Sequence, residues 1–343
     1  MQQIWGLQSF PVMNFCIFRT CKNSLLDDMD TYIILDCILV ILSIIMLWKG
    51  ADWLVDSASE IAHTLNVSDL IIGLTIVAFG TSAPEFAVTI SAAFTQQTDI
   101  SIGNVIGSNI FNLGFILGGT AIIRPITTSP KLFNRDGLFL LMTTALIFFL
   151  FFGFDGWTPN DAFTIVEGML LFSLLVGYVA FLFIKKDPPE KVHPHSATWK
   201  SYAFFMIGLC LIVYGGNLMV THASSVAHYL GVSDWVIAVT IVAAGTSAPE
   251  FATSITAALK GRHGIALGNL IGSDLFNLLG VLGLAGIINP TQIGESIYSS
   301  VFLLVIMVGI TLFMIRTNWR ISRAEGILLV VINLVRWYFD FAS

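Results

Sequence analysis

Charge is what this sequence has least of. Only 11% of its 343 residues are Asp, Glu, Lys or Arg, against about a quarter in a soluble domain. Hydrophobic residues make up 56%, and the mean hydropathy is +0.84. That balance excludes an ordinary soluble domain and places the chain in a bilayer. Basic runs interleaved with aromatics are missing, so nucleic acid is not an expected partner. The four cysteines, Cys16, Cys21, Cys37 and Cys210, show neither a Cys-x-x-Cys nor a Cys/His spacing. This excludes a disulfide framework and a zinc site, and leaves apolar packing as the reading for Cys37 and Cys210. No nucleophile and base pair or metal triad occurs in the apolar stretches, so neither an enzyme nor a cofactor is expected.

What is present is a series of apolar runs long enough for helices that cross the hydrocarbon core. From Thr31 onward they fall at roughly 31–57, 69–95, 100–123, 137–154, 163–184, 200–222, 234–259, 264–288, 297–315 and 322–341, giving ten spans. Residues 1–30 are mixed in character, end in Asp27, Asp28 and Asp30, lack a signal-peptide core, and read as a leader or extension. The polar stretch 185–199 divides the spans into a first unit, 31–184, and a second, 200–343. Basic residues cluster after odd-numbered spans: Arg124, Lys131 and Arg135; Lys185, Lys186, Lys191 and Lys200; Lys260 and Arg262; Arg316, Arg320 and Arg323. The positive-inside rule makes those loops cytoplasmic and sends both termini outward. Asp155, Asp161, His222, His228 and Glu295 then decorate the outer face.

One short string occurs twice. Gly80-Thr81-Ser82-Ala83-Pro84-Glu85 is repeated as Gly245-Thr246-Ser247-Ala248-Pro249-Glu250, each time after Thr-Ile-Val-Ala. The offset of 165 positions also relates Asn104 to Asn269, Ser108 to Ser273, Asn112 to Asn277, Pro125 to Pro290, and Val67-Ser68-Asp69 to Val232-Ser233-Asp234. Each half therefore carries the same five-helix unit. Five is odd, so the second copy enters the membrane from the opposite side, and the expected fold is all-α: ten transmembrane helices as two inverted repeats. That arrangement brings Glu85 and Glu250 together near mid-membrane. A duplicated packing scaffold would explain the glycines but not the glutamates, since a carboxylate buried in lipid costs several kcal/mol unless protonated or paired with a cation.

The residues around each glutamate favour a hard cation. Pro84 cannot donate a backbone hydrogen bond and its ring collides with the carbonyl four residues back, so the helix should open over Ala78 to Thr81 and free carbonyl oxygens. Carboxylate, hydroxyl and carbonyl oxygens suit calcium or sodium, and suit magnesium less well because it sheds water reluctantly. The second string offers the same set from Ala243, Thr246, Ser247 and Glu250. On the next helix Asn104, Ser108 and Asn112, and likewise Asn269, Ser273 and Asn277, form a polar stripe that we read as site lining. Gly103/Gly107 and Gly268/Gly272 are GxxxG pairs suited to close helix packing. Asp274 breaks the symmetry, because its mate is Asn109. It sits about 100° around the helix from Ser273, at the edge of the stripe, as a possible member of the ion pathway. Lys49 and Asp52 read as an internal pair or snorkelling groups. The six histidines lie in loops or at span ends, away from the acidic strings, so a proton relay has no support.

Paired strings of this kind, each followed by Gly-Asn-Val-Ile-Gly-Ser-Asn-Ile-Phe-Asn or Gly-Asn-Leu-Ile-Gly-Ser-Asp-Leu-Phe-Asn, resemble the calcium/cation antiporter superfamily and, within it, the prokaryotic sodium/calcium exchangers. The resemblance covers nearly the whole chain from Thr31. It implies that Glu85 and Glu250, with the backbone oxygens of Thr81 and Thr246, hold calcium. Sodium would use Ser82, Ser247, Ser108 and Ser273 with the carbonyls of Ala78 and Ala243, and share the glutamates. Asn112 stands where the family has asparagine. Asn277 stands where some archaeal and potassium-dependent members carry aspartate, which weakens the case for potassium. Proton-coupled members usually carry an asparagine-containing first string, so the resemblance favours sodium as driving ion. It implies a monomer in the bacterial cytoplasmic membrane, with sodium entering, calcium leaving, and the long first and sixth spans sliding across the core. A proton/calcium antiporter is the alternative, and a passive cation channel is a third possibility.

Overall fold

The computed structural model describes residues 12–152, 162–187, 196–232, 241, 243–293 and 295–342. Its helices are α1 (Val12–Leu65), the bent pair α2 (Asp69–Thr81) and α3 (Ala83–Phe94), α4 (98–123), α5 (Leu132–Phe152) and α6 (Ile165–Lys185). The second half contains α7 (Trp199–Tyr229), α8 (Ala243–Thr246), α9 (Ala248–Leu259), α10 (His263–Ile288), α11 (Glu295–Asn318) and α12 (Arg323–Ala342). Among the described residues seven helices are long and apolar enough to cross a bilayer, or eight if α2 and α3 count as one span. Of the ten expected spans, 234–259 lies partly outside the described residues, and α12 is not among those seven. Asp155, Asp161, Ser233, Asp234 and Lys191 also lie outside them. α1 starts at Val12, well before the expected 31, and no glycine or proline interrupts the sequence from there to Gly50.

Burial sorts the helices into a centre and a rim. In the apolar window of α10, 78% of residues are buried, and 67% in α4, against 17% in α1. α4 and α10 therefore form the centre of the bundle. On α1, Ile34, Ile38, Ile41 and Trp48 are exposed, and so are Met206, Ile207 and Tyr214 on α7. In a multi-pass membrane protein such faces meet lipid tails. Cys37 and Cys210 are unpaired and also lie on this outer surface, so they are not packed inside the bundle.

α1 and α7 pack along one another. Glycine permits the approach: a methyl at Gly50 would come within 2.8 Å of the Gly208 carbonyl oxygen, and one at Gly208 within 2.7 Å of that of Gly50. Towards one end of the pair Asp36 accepts from Ser225 and contacts His222 Nδ1 at 2.6 Å; towards the other, Ser201 donates to Glu60.

Two short antiparallel ladders tie the loops. β1 (Ile126–Thr127) pairs with β4 (Arg320–Ile321), and β2 (Ala162–Phe163) pairs with β3 (Thr291–Gln292). The first joins two loops of the basic set, after the third and ninth expected spans. The second joins loops after the fourth and eighth. Several of the basic residues are held in ion pairs. Lys260 Nζ meets Asp52 at 2.6 Å and Asp56 at 2.8 Å, and Arg135 meets Asp136 and Asp187 at 2.7 Å each. Lys49 and Asp52 do pair, at 3.7 Å, but the closer partner of Asp52 is Lys260.

Candidate cation site

Each repeated string makes a sharp corner in the chain. α2 and α3 meet at 52°. The break falls at Ser82 (φ −80°, ψ 10°), and its repeat mate Ser247 takes nearly the same conformation (φ −90°, ψ 9°). The expected opening over Ala78 to Thr81 is therefore displaced: residues 78–81 stay helical, and the Ala78 carbonyl accepts the Ser82 amide at 3.0 Å. The physical reason is that Pro84 and the residue before it resist continuation of the helix, and the chain turns immediately ahead of them. Upstream, Gly73–Val77 is wound as a π-helical turn, a feature common at functional sites. The corner lets Ser82 and Glu85 project towards the other repeat.

There the two strings cross. Ser82 Oγ donates to Glu250 Oε1 at 2.9 Å, and Ser247 Oγ donates to Glu85 Oε1 at 2.9 Å. Both glutamates are 1% exposed. Oε2 of each is buried and meets no hydrogen-bond donor. Two carboxylate oxygens that no protein donor satisfies, flanked by hydroxyls, are the hard donor set that a calcium or sodium ion takes. Among the described residues no group of three or more His, Cys, Asp or Glu forms a metal cluster, so a bound cation would need hydroxyl, amide and carbonyl oxygens besides the glutamates.

The stripes on α4 and α10 divide their labour. Asn104 Nδ2 donates to the Glu85 carbonyl (3.3 Å) and to Thr89 Oγ1 (2.9 Å), and Asn269 Nδ2 donates to the Glu250 carbonyl (3.3 Å) and to Ser254 Oγ (3.0 Å). These asparagines hold the glutamate helices against the stripe helices, and this part of the stripe is interhelical attachment as well as lining. Thr89 and Ser254 were not singled out from the sequence; they are 165 positions apart, which is the signal that could have found them. Thr81 Oγ1 donates to Asn269 Oδ1 at 2.9 Å and lies 3.5 Å from Ser273 Oγ, which brings both to the first string. Ser108 is buried on α4, and Thr246 is half-buried at the end of α8, which Ala243 begins. Asn112 and Asn277 are each 1% exposed and lie in matching π-helical turns, Asn112–Ile116 and Phe276–Val281. Asp274 is not at a margin. It is fully buried, and its Oδ1 accepts from Asn112 Nδ2 at 3.0 Å, across the boundary between the halves.

Many apolar spanning helices packed around crossed, buried carboxylates define an integral, multi-pass membrane protein of the transporter class. The chain belongs to the sodium/calcium exchanger protein family, whose pattern it matches over residues 36–184 and 200–341. It is 33% identical over 332 residues to the sodium/calcium exchanger MaX1 of Methanosarcina acetivorans, covering 86% of this chain and 95% of that protein. It is 31% identical over 301 residues to the inner membrane protein YrbG of Escherichia coli, covering 84% of this chain and 90% of that one. Among solved structures, the sodium-calcium exchanger NCX_Mj in sodium and strontium superimposes with a TM-score of 0.78 at 32% identity, over 91% of this chain and 99% of the other.

Proposed function

We propose that this chain is a secondary active antiporter that exchanges sodium for calcium across the bacterial cytoplasmic membrane, sodium entering as calcium leaves. The observation that carries the reading is the crossed pair, Ser82 on Glu250 and Ser247 on Glu85, with one oxygen of each carboxylate left without a donor. Two carboxylates balance one calcium ion. Sodium is close to calcium in radius, so the same oxygens serve either ion but not both at once, and exclusive occupancy couples the fluxes. In this reading the calcium ligands are Glu85, Glu250 and the backbone oxygens of Thr81 and Thr246. Sodium is held by Ser82, Ser247, Ser108, Ser273 and the Ala78 and Ala243 carbonyls, with Asn112 and Asn277 lining the space between. The similarity to proteins named as sodium/calcium exchangers supports cation antiport as the activity.

The topology proposed is two five-helix repeats, 31–184 and 200–343, joined by 185–199, in opposite orientation with both termini outside. The ladders support it. By the repeat offset β1 corresponds to β3, while β2 and β4 each follow a mate span, the fourth and the ninth. The two ladders are therefore counterparts, and the charge rule puts one on each face of the membrane. A repeat without inversion would put both on the same face. The protein works as a monomer with no cofactor in this reading.

The test is calcium flux in proteoliposomes, with sodium, potassium and pH gradients imposed one at a time. Calcium uptake should follow an outward sodium gradient. Uptake that follows a pH gradient and ignores sodium would replace this reading with proton/calcium antiport, and flux that needs no ion on the trans side would point to a channel.

A further inference from the structure

A cleft of about 290 Å³ opens between α1 and α7, at the end of the pair where Ser201 donates to Glu60. Its walls carry an aromatic contact, Trp53 against Phe204 with ring centroids 5.4 Å apart, and three charged side chains, Asp56, Glu60 and Lys200. The polar stretch 185–199 ends immediately before Lys200, and Trp199 beside it is 75% exposed. Tryptophan at the margin of a spanning helix sits at the level of the lipid headgroups, so the cleft opens at that depth.

The charges in the cleft divide into one that is partnered and two that are not. Asp56 is held by Lys260 at 2.8 Å. Glu60 accepts from a neutral hydroxyl, that of Ser201, and Lys200 is exposed. None of the ion pairs among the described residues includes Glu60 or Lys200. An acid and a base on the walls of one cleft, with no ion pair between them, match an occupant that itself carries one charge of each sign.

The helix faces that lead away from the cleft are apolar. On α1, Ile41, Ile45, Trp48, Asp52 and Asp56 are three or four residues apart and so share one face. On α7, Lys200, Phe204, Ile207, Leu211 and Tyr214 do the same. Ile41, Ile45, Trp48, Phe204, Ile207 and Tyr214 are all exposed. Each stripe is thus apolar over most of its length and charged at the cleft, which is the profile of a lipid seen from the protein.

We propose that this cleft binds the headgroup of a phospholipid with a primary amine, phosphatidylethanolamine, its phosphate on Lys200 and its ammonium on Glu60. The acyl chains would then lie along the exposed faces of α1 and α7. Phosphatidylglycerol has no ammonium, and its net negative charge would sit beside Glu60 and Asp56. Phosphatidylcholine has the positive charge but no N–H to donate to Glu60, and so forgoes a charge-assisted hydrogen bond. The binding does not depend on which ions are exchanged.

The test is native mass spectrometry of the purified full-length chain in detergent, titrated with these three phospholipids at matched acyl chains. Wild type should retain one phosphatidylethanolamine about tenfold more tightly than either of the others, the ratio expected of one hydrogen bond to a charged group. Lys200→Met should weaken phosphatidylethanolamine and phosphatidylcholine alike by about tenfold, because both present a phosphate. Glu60→Gln keeps an acceptor for Ser201 and should abolish only the preference for phosphatidylethanolamine over phosphatidylcholine. Equal retention of the three lipids by wild type would overturn the proposal, as would a preference for phosphatidylglycerol. Wild-type affinities and preference in either variant would overturn it too. No ion gradient enters the measurement, so its failure leaves the exchange reading intact.

Discussion

The two GxxxG pairs differ in sequence only at Val105 against Leu270, yet they differ sharply in surroundings. On α10, a methyl at Gly268 would sit 2.7 Å from the Leu70 carbonyl oxygen, and one at Gly272 would sit 2.7 Å from that of Leu74. On α4, Gly103 and Gly107 face open space. The polar residues follow the same division. Thr81, Asn269 and Ser273 are sealed against one another, whereas of their mates Thr246 and Asn104 are only half-buried and Ser108 alone is buried. Sequence identity between repeats thus sets which residues face the site, while tertiary packing decides which copy is closed. Under the exchange reading the difference is functional, because a site reached from alternate sides must be sealed on one side at a time. Gly268 lies near the basic loop of Arg262 and Gly103 near the opposite loop at 95–97, so with the proposed orientation this conformation is closed towards the cytoplasm.

The largest expected effects test whether the halves are equal where it counts. Glu85→Gln and Glu250→Gln should each reduce calcium transport to background, because either change leaves calcium short of a charge and the remaining acid buried alone. Full activity in either variant would refute the site. Next come the glycines. Gly268→Ala should destabilise the purified protein by about 1–3 kcal/mol through overpacking, read as a fall in thermal midpoint. Gly103→Ala should leave stability unchanged and slow turnover, because Gly103 must accept close packing when the repeats exchange roles. Equal destabilisation by the two substitutions would remove the asymmetry. Smaller still, Ser82→Ala and Ser247→Ala each delete one hydrogen bond to a carboxylate, worth about 1.5 kcal/mol or roughly tenfold in calcium affinity. Matched losses would place the ion midway between the strings, and unequal losses would place it off centre.

Much of the site was legible because the repeat offset acts as a ruler: it relates Ser82 to Ser247 and Glu85 to Glu250, the four residues that cross in the structure. Chemistry alone named the glutamates, since acids at that depth need a partner. What local spacing could not show was any contact between helices far apart in sequence. Asp52 reads as the partner of Lys49 three residues away, yet it binds Lys260 more closely. Asp274 reads as the edge of a stripe on its own helix, but the contact that defines it comes from Asn112 on another. The displaced corner has a different cause. The proline clash identifies the carbonyl that loses its partner, Gly80, whereas the backbone relieves the clash at the dihedral nearest the proline that can turn, at Ser82.

The smallest predicted effect concerns the α1–α7 pair, which the exchange reading makes the moving element. Its ends are polar and its centre is not. Asp36 and His222 are 15% and 20% exposed and share one hydrogen bond, a contact that contributes about 1 kcal/mol. The central contact of Gly50 with Gly208 brings the two backbones together and leaves no room for a side chain. If the pair moves as one body, the centre holds it together and the ends only trim its register. Asp36→Asn should therefore change calcium flux by less than about twofold, whereas Gly50→Val, which forces the backbones apart, should cost far more activity. A large defect from Asp36→Asn would show that the helices are held at their ends, and that α1 and α7 move separately.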